Sequence, residues 1–135
     1  MYEFFDHTAD LGLRVRSPDL PRLFEETALA LFAAIVEQPP RGGTVVHEFA
    51  VAGTRHDHLL FDWLSELLWR FESERVVFGE FAVELDAAGL HATARGEALD
   101  ESRHRVWHEV KAVTYHGLKV EPDEGGFLAE IIVDI

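Results

Sequence analysis

Leu11, Leu13 and Val15 alternate with Gly12, Arg14 and Arg16, the period of a strand with one buried face. Ser17-Pro18-Asp19 then predicts the start of a helix: Ser caps, Pro suits the first helical position, and Asp favours the positive end of the dipole. Leu20, Leu23, Phe24, Thr27, Ala28, Leu31, Phe32 and Ile35 keep helical spacing, with Glu25 and Glu26 off that stripe. Pro39-Pro40 and Gly42-Gly43 end the helix near Glu37. Val45 to Val51 reads as a second strand. The strongest helical pattern follows Gly53-Thr54, with Leu59, Leu60, Trp63, Leu64, Leu67, Leu68 and Phe71 as its stripe. Phe61 and Trp69 fall away from that stripe, so either the helix is buried on two sides or it offers apolar surface to a partner. Burial is the expectation, since most large residues on a well-patterned helix are core.

From Val76 onward the pattern changes to strands. Phe81, Val83 and Leu85 alternate, Asp86-Ala87-Ala88-Gly89 turns, and Leu90, Ala92 and Ala94 return as the second arm of a hairpin. Gly96 to His108 is polar and reads as a loop. Val110 to Tyr115 reads as a strand, Leu118 to Glu121 as a short one, and Asp123-Glu124-Gly125-Gly126 as the turn into the last. There Phe127, Ala129, Ile131 and Val133 share one face, and Leu128, Glu130, Ile132 and Asp134 the other. No repeat or linker divides the chain. These elements predict one α+β domain over residues 1–135, its two helices packed on one mainly antiparallel or mixed sheet.

The length of 135 residues is enough for a sizeable core without disulfides or metal staples. A hydrophobic fraction of 47% argues against a mainly disordered chain. The absence of cysteine excludes a disulfide framework, a thiolate metal site and a cysteine nucleophile. The N-terminal residues carry no basic segment followed by an apolar one, and no run approaches the ~18 apolar residues of a membrane span, so a cytoplasmic protein without membrane contact is expected. A formal net charge of −13 argues against direct nucleic-acid binding, which depends on Lys and Arg neutralising phosphates, and points to a basic protein or a cation instead.

No phosphate-cradling glycine loop, dinucleotide fingerprint, His-Glu-x-x-His helix or Gly-x-Ser-x-Gly elbow is present. Among eight histidines, His104 and His108 would share a face if helical, and His56 and His58 flank Asp57, but no third zinc ligand accompanies them and exposed histidines are expected. The carboxylates lead further. Asp6-His7-Thr8-Ala9-Asp10 sets two carboxylates and an imidazole ahead of the first patterned strand, and Val133-Asp134-Ile135 brings a third aspartate and a terminal carboxylate out of the last one. Oxygen donors suit a hard cation such as calcium or magnesium. On spacing alone, Asp10 reads equally as a turn residue and Asp134 as a solvated strand end.

Asp6-His7-Thr8-Ala9-Asp10, the helix Leu60-Phe61-Asp62-Trp63-Leu64-Ser65-Glu66-Leu67-Leu68, Gly96-Glu97, Glu109-Val110-Lys111-Ala112-Val113-Thr114-Tyr115-His116 and terminal Asp134-Ile135 together resemble the archease family, in order and across essentially the whole chain. The resemblance implies a non-catalytic helper of the GTP-dependent RNA ligase that joins 3′-phosphate and 5′-hydroxyl ends in tRNA splicing and RNA repair. Such a helper promotes guanylylation of the ligase histidine and repeated turnover. Carried over by position, Asp10, Asp134 and the carboxylate of Ile135 match the family's metal-binding residues. Calcium is the implied cation, with magnesium and manganese as alternatives. Lys111 becomes a candidate for contact with the ligase or its nucleotide, and Asp6, His7 and His116 are further candidates.

Two departures stand out. Where family members often open the second helix with an acidic residue, this chain has Arg55-His56, which leaves the cap to Thr54 or Asp57; and Trp107 puts an apolar residue in a polar loop, as a partner anchor or as core beneath it. Two other functions compete with the ligase helper. One is a chaperone-like modulator of RNA-modifying enzymes such as tRNA methyltransferases, which needs no metal. The other is a metal-dependent phosphoesterase using the same carboxylates, with His7 or His116 as general base.

Overall fold

The computed structural model describes residues 1–7 and 10–135; the His7 side chain, Thr8 and Ala9 lie outside the described residues, and with them that part of the opening motif. In chain order the elements are β1 (Tyr2–His7), β2 (Asp10–Ser17), α1 (Leu20–Ile35), β3 (Val45–Ala52), α2 (His56–Glu74), β4 (Val76–Asp86), β5 (Gly89–Ala98), β6 (Ala112–Val113), β7 (Lys119–Asp123) and β8 (Gly126–Asp134). The α+β class agrees with the patterning, but the single sheet does not. The strands form two sheets, one in the order β1-β2-β8-β6 with β7 also on β8, the other in the order β3-β5-β4. Every pairing among the described strands is antiparallel. The chain crosses from β2 through α1 and begins a second sheet at β3, which pairs with β5 and never returns to β2.

The strand ahead of Asp10 has no alternating pattern and went unrecognised in the sequence, because Tyr2, Phe4 and Phe5 are aromatic on both faces. The expected strand over residues 110–115 shrinks to Ala112–Val113. Its neighbour β7 lies end to end with it along the same edge of β8, opposite residues 126–130, while β6 is opposite 133–134.

α1 packs between the sheets, touching β1, β2 and β8 on one side and β4 on the other. Ala28, Ala30 and Ala34 are fully buried beside Leu31 and Phe32, the small side chains letting strands approach it from both sides. The cap of α1 is Asp19, whose carboxylate accepts from the Arg22 N–H at 2.9 Å, and Pro21 occupies its first turn. Ser17 is instead the last residue of β2, buried, and its hydroxyl donates to Glu26. α2 buries all seven residues of its predicted stripe. Trp63, fully buried, donates its indole N–H to the Phe24 carbonyl of α1 at 3.1 Å and meets Phe49 and Phe81 edge-on, so one side chain joins both helices to the second sheet. The two off-stripe residues diverge: Phe61 is half-buried under a stacked Tyr115, whereas Trp69 remains 57% exposed.

The N-cap of α2 is Arg55, without a side-chain cap bond, rather than Thr54 or Asp57. Asp57 sits in the first turn, accepting from the His58 N–H at 2.8 Å and from Arg55 at 2.9 Å. Burial pushes the Asp57 carboxyl up, but those bonds outweigh it and hold it below its ordinary value. His104 corrects the expectation of exposed histidines. It is buried, its Nδ1 accepting from the Asp100 N–H at 2.9 Å and its Nε2 2.6 Å from Glu97.

The β4–β5 ladder shifts register between Phe78 and Glu80, opposite Gly96 and Arg95. Gly96 lies so close to β4 that a Cβ there would stand 2.0 Å from the Val77 carbonyl oxygen, a backbone atom that cannot swing aside. Gly96→Ala is therefore expected to cost about 3 kcal/mol or slightly more by overpacking. A denaturant midpoint equal to that of the wild type would show that the strands do not approach this closely.

Candidate functional site

The ends of the chain meet through β2 and β8. Their ladder pairs Asp10 with Asp134, Leu11 with Val133, and so on to Ser17 with Phe127. Directly opposed residues of an antiparallel pair share a face with Cβ atoms about 5 Å apart. Asp10 and Asp134 therefore project from the same face, the one turned away from the helices, while Leu11 and Val133 enter the core. Across the sheet the row reads His7, Asp10, Asp134, Ala112. Both aspartates are half-buried, as is Ile135, whose side chain packs against the core one residue beyond Asp134.

The other candidates divide by strand parity. Asp6 opposes Leu11, which puts it on the opposite face from Asp10, and it is exposed. It does not join the aspartate pair. Lys111 donates its backbone N–H to the Asp134 carbonyl at 2.7 Å, so it adjoins the pair through main chain. It lines a groove of about 590 Å³ on the α2 side of the sheet, with Phe71, Glu72, Arg75, His108 and Glu109. His116 lies in the turn beyond β6, its N–H 3.3 Å from the Thr114 hydroxyl. Because β6 runs antiparallel to β8, each residue after Ala112 leads away from Asp134, and His116 is not brought to the aspartates. A phosphoesterase using His116 as base beside the pair lacks its geometry.

Farther along the same outer face the alternation supplies groups that sequence reasoning did not single out as a cluster. Phe5 lies over Gly12, where a Cβ would collide with its ring, and the Arg14 guanidinium sits 4.5 Å from the ring centroid. Arg14 also pairs with Glu130, its register partner, and with Glu3; Lys119 approaches Glu130 at 3.3 Å. Burial pushes the Glu130 carboxyl up, but bonds from Arg14 and Lys119 prevail and hold it below the usual range. The signal was present in the alternation of Arg14 and Glu130, but their contact depends on register. Arg14 and Arg16 pair with Glu130, Glu3 and Asp123 at one end of the face, and the aspartates stand at the other.

Like charges directly opposed across strands repel, so the Asp10–Asp134 pair favours a cation between or beside its carboxylates. Among the described residues, no three His, Cys, Asp or Glu side chains come together in a way that could hold a metal ion. Two hard oxygen donors are in register, and a divalent ion held between them would take its further donors from main-chain oxygens, water or a partner.

The archease protein family matches residues 2–135. The chain belongs to the archease family. The protein archease of Methanosarcina mazei is 37% identical, covering 99% of this chain and 95% of that protein. That of Pyrococcus furiosus is 38% identical, covering 99% and 98%. The solution structure of Methanobacterium thermoautotrophicum protein 1598 superposes with a TM-score of 0.86 at 34% identity, covering 99% of this archease and 98% of that chain. No helix among the described residues of this archease is long and apolar enough to cross a membrane.

The depressed Glu130 carboxyl has a defined sign. A carboxyl held lower in the folded than in the unfolded chain stabilises at neutral pH, and that contribution disappears as pH falls from about 4.5 through the folded value. Glu130→Gln is expected to lower stability at pH 7 by about 1 kcal/mol and to flatten the acid limb of the stability curve. Denaturant melts between pH 3 and 7 measure both, and an unchanged acid limb would remove Glu130 from the acid response.

Proposed function

We propose that this archease is a non-catalytic, cytoplasmic helper of a GTP-dependent RNA ligase joining 3′-phosphate and 5′-hydroxyl ends, promoting the ligase's guanylylation and repeated turnover in tRNA splicing or RNA repair. Asp10, Asp134 and the carboxylate of Ile135 hold a divalent cation, calcium in the first instance and magnesium or manganese as alternatives. The observation that carries the metal site is the direct register pairing of Asp10 with Asp134, which sets two hard oxygen donors side by side at the end of the face opposite the Arg14, Arg16 and Lys119 ion pairs. A bound divalent ion supplies positive charge that can offset phosphate charge in nucleotidyl transfer. The chain's own residues hold the carboxylates: β2 and β8 fix their spacing, and the Lys111 N–H to Asp134 carbonyl bond ties the segment Glu109–His116 to the same place.

A helper that carries no nucleic-acid-binding face agrees with the charge of −13, since phosphates are repelled and a basic protein is attracted. Membership of the archease family supports the ligase as partner.

Two measurements test the reading. Adding this protein to its cognate ligase is expected to convert single-turnover joining of 3′-phosphate and 5′-hydroxyl RNA into multiple turnover; no change in turnover sinks the helper reading. Asp10→Ala, and a chain lengthened by one residue after Ile135, are expected to reduce the stimulation at least tenfold. In the isolated protein, Asp134→Asn is expected to gain about 0.5 kcal/mol in chelator through relief of like-charge repulsion, yet to lose the rise in Tm that calcium gives the wild type. Equal calcium responses in both proteins would remove the aspartates from the metal site.

A further inference from the structure

We propose that the outward face of α2, centred on Trp69, docks a basic protein surface; under the helper reading above, on which this assignment of the partner rests, that surface belongs to the ligase. Trp69 is 57% exposed although the seven-residue stripe of the same helix is buried. Its indole makes no contribution to the core, and Trp is a poorer helix former than the Lys, Gln or Glu that an exposed position accepts. The fold gives no reason for it. The residues around it on the helix face are Asp62, Ser65, Glu66, Glu72 and Ser73, three carboxylates and no cation. The nearest arginines sit at the edges of this face: Arg70 lies over the Phe49 ring and 2.7 Å from His47 while also pairing with Glu66 at 3.6 Å, and Arg75 lies over Phe71 and pairs with Glu101, so the acidic character of the face rests mainly on Asp62 and Glu72.

A second exposed aromatic group lies about two turns nearer the start of the helix. Tyr115, 59% exposed, stacks on Phe61 with centroids 3.9 Å apart and planes 12° apart, and His58 meets Tyr115 edge-on. An amphipathic aromatic anchor within a polar rim is the composition of an interface centre, where Trp and Tyr dominate the binding energy. The charge selects the occupant. A second copy would set three carboxylates against three, and RNA would set its phosphates against them, whereas a protein surface rich in Arg or Lys complements them. Stacking of Arg on an exposed indole fits the same partner.

Binding of this protein to its cognate ligase, measured by titration calorimetry at several salt concentrations beside turnover, tests the assignment. Trp69→Ser and Asp62→Arg are expected to weaken binding about 30-fold and tenfold respectively, while their Tm stays near that of the wild type because both side chains are exposed. Glu84→Arg, the same charge change on the exposed face of the second sheet, is expected to bind as the wild type does. Wild-type affinity for Trp69→Ser and Asp62→Arg, with turnover still stimulated, overturns the surface and leaves the helper reading standing. Failure of the wild type both to bind and to stimulate ends the helper reading and this assignment of its partner together. A dimer in sedimentation that Trp69→Ser dissociates, or RNA binding that it abolishes, overturns the basic protein as occupant.

Discussion

The β2–β8 ladder is the interaction on which the rest of the molecule depends. It joins residues 10–17 to residues 127–134 across most of the chain length, and it forms the centre of the five-stranded sheet, with β1 on one flank and β6 and β7 on the other. Closing so long a loop costs entropy that no local contact repays. The return comes from Leu11, Leu13 and Val15 meeting Ala129, Ile131 and Val133 on the side covered by α1. Two short strands share the remaining edge of β8, so the sheet is completed only when both ends of the chain and the segment between residues 112 and 123 have arrived.

The strict alternation of that ladder gives the sheet two separate tasks. One face is core. The other runs from the Arg14–Glu130–Lys119 network past Phe5 over Gly12 and Ile132 to the two aspartates. Opposite charges are matched at one end, and like charges are opposed at the other. Because side chains change face at every residue, a register slip by one would carry Asp10 and Asp134 into the core and bring Leu11 and Val133 out. The core thereby enforces the geometry of the carboxylate pair.

The second sheet has a different relation to function. Its hairpin β4–β5 with β3 backs α2 through Trp63, Phe49 and Phe81, and holds the helix with its opposite face outward. The segment 109–116 crosses between the two regions: its backbone ties to Asp134 and its Tyr115 covers Phe61. One connection thus links the carboxylate end of the first sheet to the Phe61–Tyr115 stack on α2.

Much of this was written in local periodicity. The buried stripe of α2, the body of α1, the β4–β5 hairpin and the two faces of β8 each follow from spacings of 3.6 or 2, which a residue's near neighbours impose through helix and strand geometry. Where local signals competed, tertiary context decided. Asp19 rather than Ser17 caps α1 because Ser17 is held in β2; β1 forms despite its unpatterned aromatics because an exposed edge of β2 accepts it; and His104 is buried because Glu97 and the Asp100 N–H supply its partners. Archease membership was legible in motifs spread over the chain, but the neighbours of a given strand were not. Hydrophobic alternation specifies which side of a strand is buried and is silent about which strand lies beside it. That Asp10 stands against Asp134, that Asp6 faces the other way, and that the strands divide into two sheets depend on register and pairing between distant segments, and only packing of the whole chain around α1 sets those.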